Sequence, residues 1–300
     1  MLIHQASFAE YVSAVDAVKR GGRRLISNCF LSAHQIRSTT REKCCLIHAG
    51  EDCAFFLVPR HVRYYECYYF AHDTQALSRS IAVLHEICGL NAPVCVPVIG
   101  KMPLVETIWP LFAQNGFALR KRIARMAHSG KSKNMLHANQ LLHNDEIKCE
   151  FAGTQDAEEI LKMLTENFDI YSDDIPELDI IAQDAEQKRI AVIRRDNTIA
   201  ALCYITMQNG ISYGYYALCK EKYRKELIIF TINNFMAQYI MKHNSNISRT
   251  YAWRDIDNKR IIHSSAISGE KQDGIFIYRM LYTHEINKRT TELNAAEICS

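Results

Sequence analysis

No window of this sequence approaches the roughly 20 apolar residues that a membrane-spanning helix needs. The amino end, MLIHQASFAEYVSAVDAVKR, alternates polar and apolar residues at helical spacing and lacks the apolar core of a signal peptide. An excess of one charge is missing too. The formal net charge is +3, with acidic and basic residues mixed, so composition implies no nucleic-acid partner. Eleven cysteines occur without CxxC spacing; Cys44, Cys45, Cys53, Cys67, Cys95 and Cys203 sit in apolar runs and read as reduced core residues. The twelve histidines show no HExxH or Cys/His ligand spacing, so no metal site is expected. What is there is a chain of 300 residues with ordinary apolar content, read as cytoplasmic and long enough for two domains.

The stretch Tyr64 to Leu84 organises the first half. It reads as a half-buried strand, Tyr64 to Phe70, turning through Ala71 to Thr74 into a helix with apolar Leu77, Ile81, Leu84 and Cys88. A helix start carries unpaired N–H donors and a positive dipole end, a natural seat for phosphate where small residues allow approach. Gln75, Ser78 and Ser80 stand there. Before it come a helix from Phe8 to Val18, a break at Gly21-Gly22, a second helix expected over Leu25 to Ile36, and strands Cys44 to His48 and Ala54 to Val58. After it come a strand from Pro93 to Ile99, a helix from Leu104 to Gln114 stopped by Asn115-Gly116, and a closing strand from Ala118 to Met126.

From Ala127 to Asp145 periodicity fades, and then the same order repeats. Strand Ile147 to Phe151 leads to helices at Ala157 to Asn167 and Pro176 to Gln187. Strands Arg189 to Arg195, Thr198 to Met207 and Ile211 to Leu218 follow, joined by Asp196-Asn197 and Asn209-Gly210. A helix from Tyr223 to Met241, a strand near Arg249 to Trp253, a helix from Ile256 to Ala266 and a strand from Gly274 to Tyr282 complete it. The expected organisation is a domain over 1–128, a linker over 129–146 and a second domain over 147–300. Each closing strand is assigned to its own half. The two read alike, Arg122-Ile123-Ala124-Arg125-Met126 and Ile277-Tyr278-Arg279-Met280-Leu281.

This order of elements resembles the GNAT superfamily of acyl-CoA-dependent N-acyltransferases in a tandem arrangement. The resemblance implies an α+β fold of two GNAT-like domains, each a mixed, mostly antiparallel sheet flanked by helices. In that family a Q/R-x-x-G-x-G/A loop holds the CoA pyrophosphate. Here Gln75-x-x-Ser78-x-Ser80 keeps the polar start and replaces both glycines by serine, whereas Arg224-x-x-Leu227-x-Ile229 places bulky residues at those positions. The resemblance thus implies acetyl-CoA or another acyl-CoA as cofactor, contacted by Phe70, Gln75, Ala76, Leu77, Ser78, Arg79, Ser80, Arg224 and Asn258, with the first half the better candidate. Asn258 and Gly269 keep the family's last-helix spacing, but Ser265 stands where a thiolate-protonating Tyr would be, and Phe112 takes that place in the first half.

N-acyl transfer needs a base for the amine, donors for an oxyanion and a route for the thiolate. Glu66, the sole carboxylate within the strand Tyr64 to Phe70, is a candidate base that equally suits a solvent-facing position or an ion pair with Arg63 or Arg79. His72 and Asp73 offer a proton relay at the strand end, and His263 and Ser265 offer polar groups on the last helix. An acidic group, Asp169, Asp173, Asp174, Glu177 and Asp179, suits a cationic amine or a helix-start loop. The basic run Arg120, Lys121, Arg122, Arg125, Lys131 and Lys133 suits a phosphorylated cofactor, a charged substrate or RNA, or simply a solvated strand face. The expected activity is acyl, most simply acetyl, transfer to an amine of a small molecule or peptide, with no membrane partner and with a homodimer left open. Two alternatives stand beside it: a catalytically degenerate GNAT-like ligand-binding or scaffold protein, and an aminoacyl-tRNA-dependent acyltransferase, the one reading that brings in nucleic acid.

Overall fold

The computed structural model describes residues 4–20, 25–31, 33–42, 45–61, 63–87, 92–129, 147–208, 210–226, 228–243, 247, 249–267 and 269–283. The Gly21-Gly22 break, Cys44, Cys88, Leu227 and the 130–146 stretch of the expected linker lie outside these residues. The chain forms two compact units. One comprises residues up to Arg122 together with those from Ile275 onward, and the other runs from Ile123 to Gly274.

In the first unit, β1 (His4–Gln5) leads to α1 (Phe8–Arg20), opened by a capping box. The Ser7 N–H donates to the Glu10 carboxylate at 2.8 Å and the Glu10 N–H donates to Ser7 Oγ at 3.2 Å. There follow β2 (Ile26–Ser27), α2 (Ala33–Glu42), β3 (Leu46–Ala49), β4 (Cys53–Arg60), β5 (Tyr64–Ala71), α3 (Thr74–Ile87), β6 (Val94–Lys101) and α4 (Met102–Ala113). Alternation along the central strands serves two layers of helix. Phe56 and Tyr68 pack with Val18 and Ile36. The neighbouring Tyr69 faces the other way, its ring 5.8 Å from that of Phe112 in α4. The expected helix over Leu25 to Ile36 forms only from Ala33: Ile26–Ser27 is a short strand, and Leu25, Asn28 and Cys29 are neither helix nor strand.

The strand β7 (Ala118–Ser129) crosses from the first unit into the second. Next come β8 (Cys149–Phe151), α5 (Ala157–Asn167), α6 (Leu178–Glu186), β9 (Ile190–Arg195), β10 (Thr198–Gln208), β11 (Ile211–Cys219), α7 (Ile228–His243), β12 (Arg249–Asp255), α8 (Lys259–Ile267) and β13 (Lys271–Tyr282). The second unit again has a core on each face of its sheet. Ile160, Leu164 and Ile181 lie against Val192, Leu202 and Tyr216, while Ile228, Ile232 and Met236 lie against Ala191, Cys203 and Ile205. The expected helix over Tyr223 to Met241 opens as a 3-10 segment, Glu221–Glu226, ahead of α7.

The sheet of the first unit runs β1-β3-β4-β5-β6-β13 and that of the second β8-β9-β10-β11-β12-β7. The closing strands are therefore exchanged relative to the expectation. Ile275 to Tyr282 of β13 pairs antiparallel with Lys101 to Val94 of β6, and Ile123 to Ser129 of β7 pairs antiparallel with Asp255 to Arg249 of β12. The cause is physical: each closing strand pairs with a segment far away in the chain, and local sequence does not specify which distant edge a strand completes.

Candidate functional site: two splayed strand pairs

Among the described residues each unit contains one parallel strand pair that starts together and then parts. In the second unit β11 and β12 pair from Ile211↔Arg249 to Gly214↔Ala252 and no further. At that point the β10–β11 register slips: Tyr204 faces Tyr216 while Ile205 faces Gly214, which leaves Tyr215 as an extra residue in β11. Such a bulge bends its strand and increases its twist, so β11 swings away from β12 just where their pairing ends. Beyond it β11 remains paired to β10 and β12 to β7, and the facing edges of the two arms share no strand bridge among the described residues. Arg254 lies on the β12 arm. Its Nε donates to Ser265 Oγ at 3.2 Å, and it pairs with Glu270 at 3.1 Å. On the β11 arm the Tyr216 hydroxyl donates to the Asp173 carbonyl at 2.6 Å, which fastens the acidic loop beside the bulge.

In the first unit β5 and β6 pair only at Tyr65↔Val94 and Glu66↔Cys95 before they part. Here the opening is filled. Strand β2 pairs antiparallel with the free edge of β5, Ile26↔Ala71 and Ser27↔Phe70. The Asn28 carboxamide bridges both arms: Nδ2 donates to the Cys67 carbonyl at 3.0 Å and to the Pro97 carbonyl at 2.8 Å, and Oδ1 accepts from the Tyr69 N–H at 2.7 Å. Asn28 is 1% exposed. The start of α3 is also taken. Asp73 Oδ1 accepts the Ala76 N–H at 2.7 Å, and hydrogen bonds from Ala76 and then Gln75 hold this carboxyl below the usual range.

No family model matches this sequence, and no curated protein matches it. Solved structures do. A tandem GNAT protein from the clavulanic acid biosynthesis pathway matches with a TM-score of 0.60 at 9% identity, over 93% of this chain and 97% of that one. A GCN5-related N-acetyltransferase from Sphaerobacter thermophilus gives 0.58 at 10% identity, over 93% and 94% of the two chains. The fold is a tandem GNAT fold. A glucosamine N-acetyltransferase region of a fungal multi-domain β-N-acetylglucosaminidase adds a TM-score of 0.61 at 10% identity, over 93% of this chain and 38% of that one. At such identities the likeness fixes the GNAT fold, and the chemistry has to be argued from the residues.

In the first GNAT unit the expected site residues gather around the turn into α3 but spend their groups locally. Ala76, Leu77 and Phe70 are buried in the core. Gln75 is exposed, Arg79 pairs with Asp52 at 3.3 Å, Ser78 is half-buried, and Ser80 hydrogen-bonds the Cys53 thiol, which burial pushes up to about 12. His72 lies 3.7 Å from the Asp73 carboxylate. Glu66, 3% exposed, is ringed by cations other than Arg63 and Arg79. It lies 2.8 Å from Arg279 Nη1 and 3.2 Å from Arg60 Nε, and it accepts from the Tyr68 hydroxyl at 3.0 Å. Burial raises its pKa, but Arg60, Arg279 and Tyr68 outweigh burial and hold it below the usual range. A carboxylate so engaged suits an ion-pair clamp, not proton abstraction.

In the second GNAT unit Ser265 is buried and faces Arg254, while His263, two residues away on α8, is exposed. Asn258 Oδ1 accepts the Ile261 N–H at 3.2 Å as a helix cap. Arg224 is exposed in the 3-10 segment, 3.7 Å from Glu221. Sequence reasoning missed Asn28 and Arg254. A signal for Asn28 existed: Ser27-Asn28 is a pair of poor helix formers inside a stretch read as helix. The bulge at Tyr215 has a signal too, since Gly214 is an isolated glycine inside a strand pattern. Groups of His, Cys, Asp and Glu able to hold a metal are absent among the described residues. Likewise, no described helix is long and apolar enough to cross a membrane.

Proposed function

We propose that the protein is an acyl-CoA-dependent N-acyltransferase, acetyl-CoA being the simplest donor, and that the donor lies along the open splay of the second unit. The observation that carries this reading is the contrast between the two splays. The second has a bulge at its vertex and facing edges with no bridge among the described residues, whereas the first is filled. Bound acyl-CoA supplies an activated carbonyl and a thiolate leaving group. The chain's own part is to orient and to stabilise charge. In this reading a backbone N–H at the bulge around Tyr215 donates to a carbonyl oxygen as it gains charge, and Arg254, its charge balanced by Glu270, offers hydrogen-bond donors on the β12 arm. The acceptor in this reading is an amine of a small molecule or peptide, drawn by the acidic loop that Tyr216 ties beside the bulge.

The test is calorimetry with acetyl-CoA on the wild type, on Ala217→Trp and on Ser78→Tyr. Ala217 is an exposed residue of the β11 arm, and Ser78 stands on α3 of the first unit. Micromolar binding that Ser78→Tyr keeps and Ala217→Trp weakens by at least tenfold is the expected outcome, and an amine screen then follows. Loss in Ser78→Tyr would move the donor to the first unit. Absence of binding by the wild type would end the acyl-CoA reading.

A further inference from the structure

Parting two strands inside a domain leaves backbone N–H and C=O groups without a ladder. A buried group of that kind costs about 1–3 kcal/mol when nothing takes the place of the lost bond. In the first unit the parting happens among fully buried residues, Cys67, Tyr69 and Ala71 on β5 and Val96 and Val98 on β6. An occupant is therefore required there, and the chain supplies one from its own residues 25–29. Ile26 and Ser27 extend the β5 edge as a short strand, and one carboxamide, that of Asn28, answers two carbonyls and one N–H on opposite arms. The Asn28 side chain thus makes the bonds that an amide-bearing ligand lying between the arms would make. A second, separate feature points the same way. At the start of α3, the Asp73 carboxylate already takes the N–H of Ala76, so an anion approaching that helix end meets a negative charge and a spent donor.

We propose that residues 25–29 are the resident occupant of the first unit's splay, a built-in strap that closes this unit to acyl-CoA, so that each chain binds one donor molecule and the first unit works as a closed module. The inference goes beyond the activity proposed above, since it concerns the unit that does not carry it, and the strap's presence is testable with no ligand at all.

The experiment is hydrogen–deuterium exchange on the full chain, followed in peptides covering 67–71 and 25–29. Without ligand, Asn28→Asp, which keeps the acceptor and removes both donors, and Asn28→Ala, which removes all three bonds, are expected to speed exchange in 67–71 by at least tenfold. Unchanged exchange in both variants would overturn the strap. If Asn28→Ala fails to fold, the near-isosteric Asn28→Asp carries the comparison. With saturating acetyl-CoA, wild-type 67–71 and 25–29 are expected to keep their rates while β11 and β12 peptides slow, at one equivalent per chain. Slowing of 67–71 together with faster exchange of 25–29, or two equivalents bound, would overturn the closed module. If acetyl-CoA binds nowhere, the acyl-CoA reading falls, while the ligand-free comparison still decides the strap.

Discussion

Glu66 shows what a single residue discloses in sequence and what it conceals. That a lone carboxylate in a strand of aromatic residues matters was legible from its neighbours. Its partners were not, because Arg279 stands 213 positions away and arrives on a strand whose destination local sequence does not specify. Glu66→Gln leaves the Arg279 guanidinium, itself 7% exposed, facing a neutral group, and is expected to cost about 3–5 kcal/mol in urea unfolding at neutral pH. The sign with pH follows from the direction of the shift. The folded-state pKa of Glu66 lies below its unfolded value of about 4.3, so its contribution is complete above that value and is lost as pH falls through the lower, folded one. The unfolding midpoint of the wild type should therefore drop more steeply below about pH 4 than that of Glu66→Gln. Parallel acid profiles would remove the clamp from the account of stability.

At the scale of elements, turns and caps carried most of the legible information because their chemistry is local. Asp196 and Asn197, read as a two-residue hairpin, adopt φ of 51° and 59°, and Gly116 after α4 has φ of 82°. Gly116→Ala should lower stability by about 1 kcal/mol, read by thermal unfolding, because a Cβ is strained in that region. Gly214→Ala is the contrast: the added Cβ meets the Ala252 Cβ and the Tyr251 carbonyl at 3.8 Å, ordinary contact, and the melting temperature should hold. The element that sequence misjudged, the helix expected from Leu25, failed for a non-local reason. The parted strands β5 and β6 need an occupant, and that demand overrides the helical spacing of Leu25, Cys29 and Ile36. Beyond the isolated Gly214, the open splay of the second unit was hidden for the same reason, since it arises from a register slip between two strands.

Across the whole molecule the order of elements was legible as a repeat, and with it the tandem architecture. Which closing strand completes which sheet was not. The exchange makes a sharp prediction. A chain ending at Gly274 loses Phe276, Ile277, Tyr278, Met280, Leu281 and Tyr282 from the first unit, all buried, at about 1.5–3 kcal/mol each. That exceeds the margin of a typical domain, so residues before 122 should become readily cleaved in limited proteolysis. A first unit that resists protease in the shortened chain would show that the exchange does not bear on its folding.

Protein synthesis gives the exchanged strands a temporal meaning. The ribosome makes β6 about 175 residues before its partner Ile275 to Tyr282, a wait of roughly 10–35 s at 5–20 residues per second. Throughout that interval the first unit emerges with an unfilled sheet edge, and the strand it needs has not yet been translated. The second unit has no such wait, because β7 precedes it. The amino-terminal half is thus made first and completed last, and it is the nascent half that chaperones would have to shield.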